Sequence, residues 1–175
     1  MSISNARIIN GSAFLISVFS MAFALYLEHY QNLAPCPLCI FQRVFVILAG
    51  LAFLIAFIHN SKTIYSYIYA SLALSASVGG ITVAGRHVWL QNLPPSEVPS
   101  CGPGLDYLLN AFPLNEVLQT VFTGSGECAN ISWSLLYLTL PEWVLILFTG
   151  LCAMSILQLV FNDTVQISTQ SPGHF

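Results

Sequence analysis

Hydrophobic positions fall into four long, nearly unbroken runs separated by shorter polar stretches. The runs cover about 11–27, 38–58, 64–84 and 143–161. Each approaches the roughly 20 apolar residues that a helix needs to cross a bilayer. They are continuous rather than alternating, which predicts helices and not barrel strands. Inside lipid every backbone N–H and C=O must be bonded within its own segment, and a helix does that. The expected fold is an all-α membrane protein: a four-transmembrane-helix bundle in one integral membrane domain, residues 1–175. Two loops, about 28–37 and 87–142, then share one membrane face. Both termini and the short His59–Thr63 loop share the other. The first run, with Arg7 ahead of it and Ala22-Phe23-Ala24 near its end, has the outline of a cleaved signal peptide. Signal cores run about 7–15 residues, and this longer run is expected to stay as a span.

The long loop has a pattern of its own. Leu105, Leu108, Leu109 and Phe112 recur at helical spacing, and Leu114, Val117, Leu118, Val121 and Phe122 resume it after Pro113. This predicts a short amphipathic helix lying apolar side down on the membrane surface. The tail from Asn162 is polar.

Composition agrees with lipid as the main solvent. Only 6% of residues are charged, 56% are hydrophobic and mean hydropathy is +0.77. No soluble domain of this size covers itself with so few charges, and no basic stripe exists for nucleic acid. The four cations tie on a simple positive-inside count, Arg7 and Lys62 against Arg43 and Arg86. Arg43 lies within a span and Arg86 at a span end, so Arg7 and Lys62 carry the weight and place the termini in the cytoplasm.

Five cysteines stand out. Cys36-Pro37-Leu38-Cys39 lies where a loop becomes the second helix; Cys101 and Cys128 bracket the amphipathic segment; Cys152 falls inside the fourth span, where it reads as a small hydrophobe. Spacing of i, i+3 puts the sulfurs of Cys36 and Cys39 on one face. Unsatisfied N–H groups at a helix start, and Arg43 one turn beyond Cys39, favour a thiolate. Three uses remain open: redox chemistry, two static disulfides stapling the loops, or a zinc site. Cys101 and Cys128 are 27 positions apart, which argues against a zinc site built from two tight knuckles.

Gln42 and Arg43 open the second span, and Arg86 and His87 close the third. Antiparallel neighbours would bring them to the same depth, on the face that holds the cysteines. There they could line a pocket for the oxygen atoms of a hydrophobic cofactor, with His87 able to exchange a proton. Ser75, Ala76, Gly79 and Gly80 suggest close helix packing. Glu28 and His29 read as exposed loop residues.

Taken together, Cys36-Pro37-Leu38-Cys39-Ile40-Phe41-Gln42-Arg43, Arg86-His87, Gly124-Ser125-Gly126-Glu127-Cys128-Ala129 and Pro141-Glu142-Trp143 resemble the disulfide bond formation protein B (DsbB) family of bacterial inner membranes. The resemblance runs from about Ala13 to Phe161. It implies a thiol:quinone oxidoreductase in the DsbA–DsbB–quinone route that keeps the periplasm oxidising. By resemblance, Cys101 and Cys128 form the pair that meets a DsbA-like thioredoxin-fold partner. Cys36 and Cys39 form the pair that passes electrons to a quinone, ubiquinone or menaquinone, beside Arg43 and His87. The cysteine loops would be periplasmic. Arg86 stands where some relatives carry an acid. Two other readings are a structural or transport membrane protein with inert loop disulfides, and an enzyme of the vitamin K epoxide reductase type. The order of the two cysteine pairs disfavours the latter.

Overall fold

The structure, a computed structural model, describes residues 3–60, 64–94, 96–99, 113, 124, 126–131 and 133–169. Four long helices account for the four apolar runs: α1 (Ile3–Tyr30), α2 (Pro37–His59), α3 (Ile64–Gln91) and α5 (Leu140–Thr169). Each contains a segment long and apolar enough to cross a membrane, Ala6–Tyr30, Pro37–His59, Ile64–Gln91 and Leu140–Val160. Between α3 and α5 lie a single helical turn, α4 (Gly126–Ala129), and a two-stranded hairpin, β1 (Ser134–Leu135) with β2 (Leu138–Thr139). The amphipathic helix expected in the long loop falls on residues 105–122, outside the described residues apart from Pro113.

Local chemistry explains the helix ends. Pro37 occupies the first turn of α2, where its missing N–H costs nothing. At the other end Asn60 adopts φ 43° and its N–H bonds the Ala56 carbonyl, a left-handed cap. Glu142 reaches back to Thr139 at the start of α5, one half of a capping box. The Glu142 carboxylate accepts from the Thr139 N–H at 2.6 Å and from its hydroxyl at 3.0 Å.

Helix α3 sits centrally, packed against both α2 and α5. Its buried face is a stripe of small residues, Ala70, Ala73, Ala76, Ser77, Gly80 and Ala84, that continues into His87. Small side chains let neighbouring helices approach closely, which is how helices without a hydrophobic drive associate in lipid. A Cβ on Gly80 would fall inside the ring of Phe148 from α5, itself fully buried, and one on Gly79 would meet Phe45 of α2. The stripe thus draws three helices together and ends at the site described below. By contrast α1 and α5 touch little. Toward the chain termini they are joined by a buried hydrogen bond in which Gln158 Nε2 donates to Asn10 Oδ1 at 2.7 Å.

The hairpin is unusual. Its two-residue turn places Leu136 at φ 53° and Tyr137 at φ 66°, left-handed conformations that such turns normally give to Asn and Gly. Both side chains are exposed. The Trp143 indole N–H donates to the Leu135 carbonyl at 3.2 Å and ties the hairpin to α5.

Candidate functional site

The site forms where α2 begins and α3 ends. Cys36 is the N-cap of α2, with extended backbone, and its carbonyl accepts the Ile40 N–H. One turn on, Cys39 brings its Sγ to 3.3 Å from that of Cys36. Antiparallel packing sets His87 of α3 opposite this turn. Its Nε2 lies 3.8 Å from Cys36 Sγ, and its Nδ1 lies 4.0 Å from Cys39 Sγ. The ring is buried, 3% exposed, and held on both edges. Nε2 is 3.1 Å from the Cys128 carbonyl, and Nδ1 is 3.3 Å from the side-chain amide nitrogen of buried Gln42. One tautomer satisfies both: Nε2–H donates to the carbonyl and Nδ1 accepts from the amide.

Cys128 comes from far away in sequence, and its seat is specific. Its side chain is 1% exposed and packs with Leu38, Val83 and Leu90. The approach depends on Gly124, whose φ of 89° and lack of a Cβ let the chain pass against the Leu90 side chain. The result is a cluster in which Cys36 Sγ, Cys128 Sγ and a ring nitrogen of His87 all lie within 4.8 Å of one another.

Arg43, one turn beyond Cys39, forms an ion pair with Glu28 of α1, and its other terminal nitrogen is 3.5 Å from the Ala24 carbonyl. Glu28 is therefore no loop residue: it lies in the last turns of α1 and neutralises the cation inside α2. The signal was available, because an arginine within a span calls for a partner, and Glu28 is the only acid of α1 or α2. Arg86 takes a different course: its guanidinium lies 4.0 Å from the centre of the Trp89 ring, and it is absent from the cavity wall. Cys152 lies within α5, apart from the cluster, and Cys101 lies outside the described residues.

Cys36, Cys39, Gln42, Arg43 and His87 share the wall of one cavity of about 920 Å³. The remaining wall is largely apolar. Phe19, Phe23 and Ala24 come from α1, Val144 and Leu147 from α5, and Trp133 and Leu135 from the hairpin region. The cavity thus occupies the gap between α1 and α5, with exposed Phe19 and Ile146 among its lining residues. It is a slot with polar groups at one end, bordered by lipid-facing helix surface.

A protein-family profile described as "Disulfide bond formation protein DsbB" matches residues 6–158. The chain belongs to the DsbB family. Proteins named "Disulfide bond formation protein B" agree with this assignment. That of Acinetobacter baumannii is 53% identical over 155 residues, covering 87% of this chain and 90% of its own. The Hahella chejuensis protein is 48% identical over 141 residues, covering 81% and 86%. The Methylococcus capsulatus protein is 45% identical over 158 residues, covering 90% and 96%. The chain is therefore a multi-pass inner-membrane oxidoreductase of protein disulfide formation. That sets aside the reading as an inert structural subunit with stapled loops.

Proposed function

We propose that this DsbB-family protein reoxidises a periplasmic DsbA-like dithiol oxidase and passes the electron pair to a membrane quinone, ubiquinone or menaquinone. The observation that carries the reading is the meeting of cysteines distant in sequence: Cys128 is seated beside Cys36 of the Cys36–Cys39 pair and His87, at the polar end of a lipid-bordered slot.

In this reading a partner thiolate attacks the Cys101–Cys128 disulfide and joins Cys101 in a mixed disulfide, releasing Cys128 as a thiolate. The second partner thiol then attacks that mixed disulfide, leaving the partner oxidised and Cys101 reduced. Cys128 attacks the Sγ of Cys36 in the Cys36–Cys39 disulfide. A Cys36–Cys128 bond forms and Cys39 leaves as a thiolate; the Cys101 thiolate then attacks Cys128, which restores the Cys101–Cys128 disulfide, releases Cys36 and leaves the electron pair on the Cys36/Cys39 dithiol. His87 holds the Cys128 backbone in reach of Cys36, and Gln42 fixes the His87 ring. The quinone, when bound, supplies a two-electron, two-proton acceptor. The residues present fit such a group: apolar walls suit a ring with an isoprenoid tail, and Arg43 and the second amide hydrogen of Gln42 offer donors to its oxygens, with His87 beside them on the same wall. Arg43 presents guanidinium N–H donors there, and its ion pair with Glu28 keeps them in place. Arg7 and Lys62 mark the cytoplasmic face, which puts the cysteine cluster on the periplasmic face.

The test is reoxidation of a reduced thioredoxin-fold dithiol oxidase by the purified chain in vesicles, with and without ubiquinone or menaquinone. Turnover should require quinone and vanish in Cys39→Ser. Quinone-independent turnover, or full activity in that variant, would overturn the reading.

A further inference from the structure

The side chains around His87 also have the composition of a tetrahedral metal centre. The distance in sequence between Cys101 and Cys128 argues against two zinc knuckles, but the fold assembles a different set. Cys36 and Cys39 make one knuckle at the start of α2, and Cys128 and His87 stand where a second would be. We propose that the fully reduced chain binds one Zn²⁺ through the sulfurs of Cys36, Cys39 and Cys128 and through Nε2 of His87.

Geometry groups three of the ligands already, Cys36, Cys128 and His87, and sets Cys39 beside Cys36. Zinc bonds of about 2.3 Å to sulfur and about 2.0 Å to nitrogen put tetrahedral ligand atoms about 3.5–3.8 Å apart. Here the Cys36 and Cys39 sulfurs are 3.3 Å apart and Nε2 is 3.8 Å from Cys36 Sγ. Cys128 Sγ lies within 4.8 Å of the other two groups. Cys39 Sγ faces the Nδ1 edge of the same ring at 4.0 Å, so closing the site turns the Cys39 side chain toward Nε2 while the other three draw in.

The surroundings fit as well. A ligating histidine needs a partner for its second ring nitrogen, and Gln42 is already 3.3 Å from Nδ1. When Nε2 exchanges the Cys128 carbonyl for the metal, the proton moves to Nδ1, and the Gln42 amide turns to accept it with its oxygen. The slot between α1 and α5 reaches Cys36, Cys39 and His87 and gives the ion access. Three thiolates and an imidazole select zinc over magnesium or calcium. Binding releases the thiol protons and transfers no electrons. A Cys36–Cys39 or Cys36–Cys128 disulfide removes two ligands at once, so only the reduced chain holds the ion. The bound ion in turn occupies the sulfurs that disulfide exchange requires.

The experiment titrates the full chain, reduced with a phosphine in detergent, with Co²⁺ alone. One equivalent should produce thiolate-to-cobalt charge-transfer absorption and the visible bands of tetrahedral cobalt, and Zn²⁺ should erase both. The diamide-oxidised chain should show neither. Cys128→Ser and His87→Gln should weaken binding more than about 100-fold, and Gln42→Leu about 10- to 100-fold. Cys152→Ser should bind like the parent. Circular dichroism of each variant separates a lost site from a lost fold. Absence of cobalt bands in the reduced chain would overturn the proposal, as would bands unchanged in folded Cys128→Ser and His87→Gln. The measurement uses neither quinone nor partner protein, so its outcome is independent of the electron-transfer reading.

Discussion

Replacing Glu28 by Gln removes a charge while keeping the shape of the side chain, and it isolates what the ion pair with Arg43 does. Two unit charges about 4 Å apart attract by about 4 kcal/mol at an effective dielectric of about 20. The two side chains are 22% and 30% exposed, so water and headgroups screen much of this. Exposed pairs contribute about 0.2–1 kcal/mol, whereas breaking a fully buried pair costs about 3–5 kcal/mol. A half-buried pair at the membrane edge falls between, at about 1–2 kcal/mol. With Gln at position 28 the guanidinium keeps a neutral amide oxygen and the Ala24 carbonyl at 3.5 Å but no counter-charge, and its long stem lets it turn toward the headgroups and away from the slot. A penalty of that size corresponds to a fall of about 5- to 30-fold in quinone kcat/KM. The assay is vesicle turnover at varied quinone and fixed dithiol partner, then the reverse. Glu28→Gln should raise the quinone KM and leave the partner KM alone, and Glu28→Asp should recover part of the loss. An unchanged or lower quinone KM, or an equal rise in both constants, would refute the reasoning.

Two further substitutions test the scaffold. Gly80→Ala forces a methyl into the Phe148 ring and should cost about 1–3 kcal/mol, read as a lower thermal midpoint in detergent. Adding Phe148→Leu should restore much of it, and failure to do so would count against the steric account. Leu136→Asn with Tyr137→Gly gives the hairpin turn the residues its left-handed backbone favours. Amide exchange in Ser134–Thr139 should slow, and faster exchange would show that the turn is not strained.

The bundle was legible because membrane spans depend on local composition. A run near 20 apolar residues needs no tertiary information to be recognised as a helix. Cys36, Cys39 and Arg43 were legible for a related reason: i, i+3 and i+7 spacing fixes their shared face. His87 followed from antiparallel topology, which brings the end of α3 to the depth of the start of α2. The seat of Cys128 could not be read in this way. It depends on Gly124 passing Leu90 and on a carbonyl reaching His87, contacts between segments roughly 40 residues apart. Glu28 was misplaced because the apolar run ends before α1 does. Almost one more turn, Glu28 to Tyr30, continues past the hydrophobic signal, and Arg43 receives its partner from it.

The hydrogen bond between Asn10 and Gln158 gives the lipid-bordered slot leverage. In lipid a broken amide pair finds no water to replace it, so α1 and α5 are fastened at that end. At the other end they are separated by the cavity. Ala24 lies 14 residues along α1 from Asn10, or about 21 Å at the rise of an α-helix. A change of about 5° in the angle between the two helices, pivoting at the amide pair, widens or narrows the slot by about 2 Å. A joint far from the cysteines thus governs the width of the slot beside them.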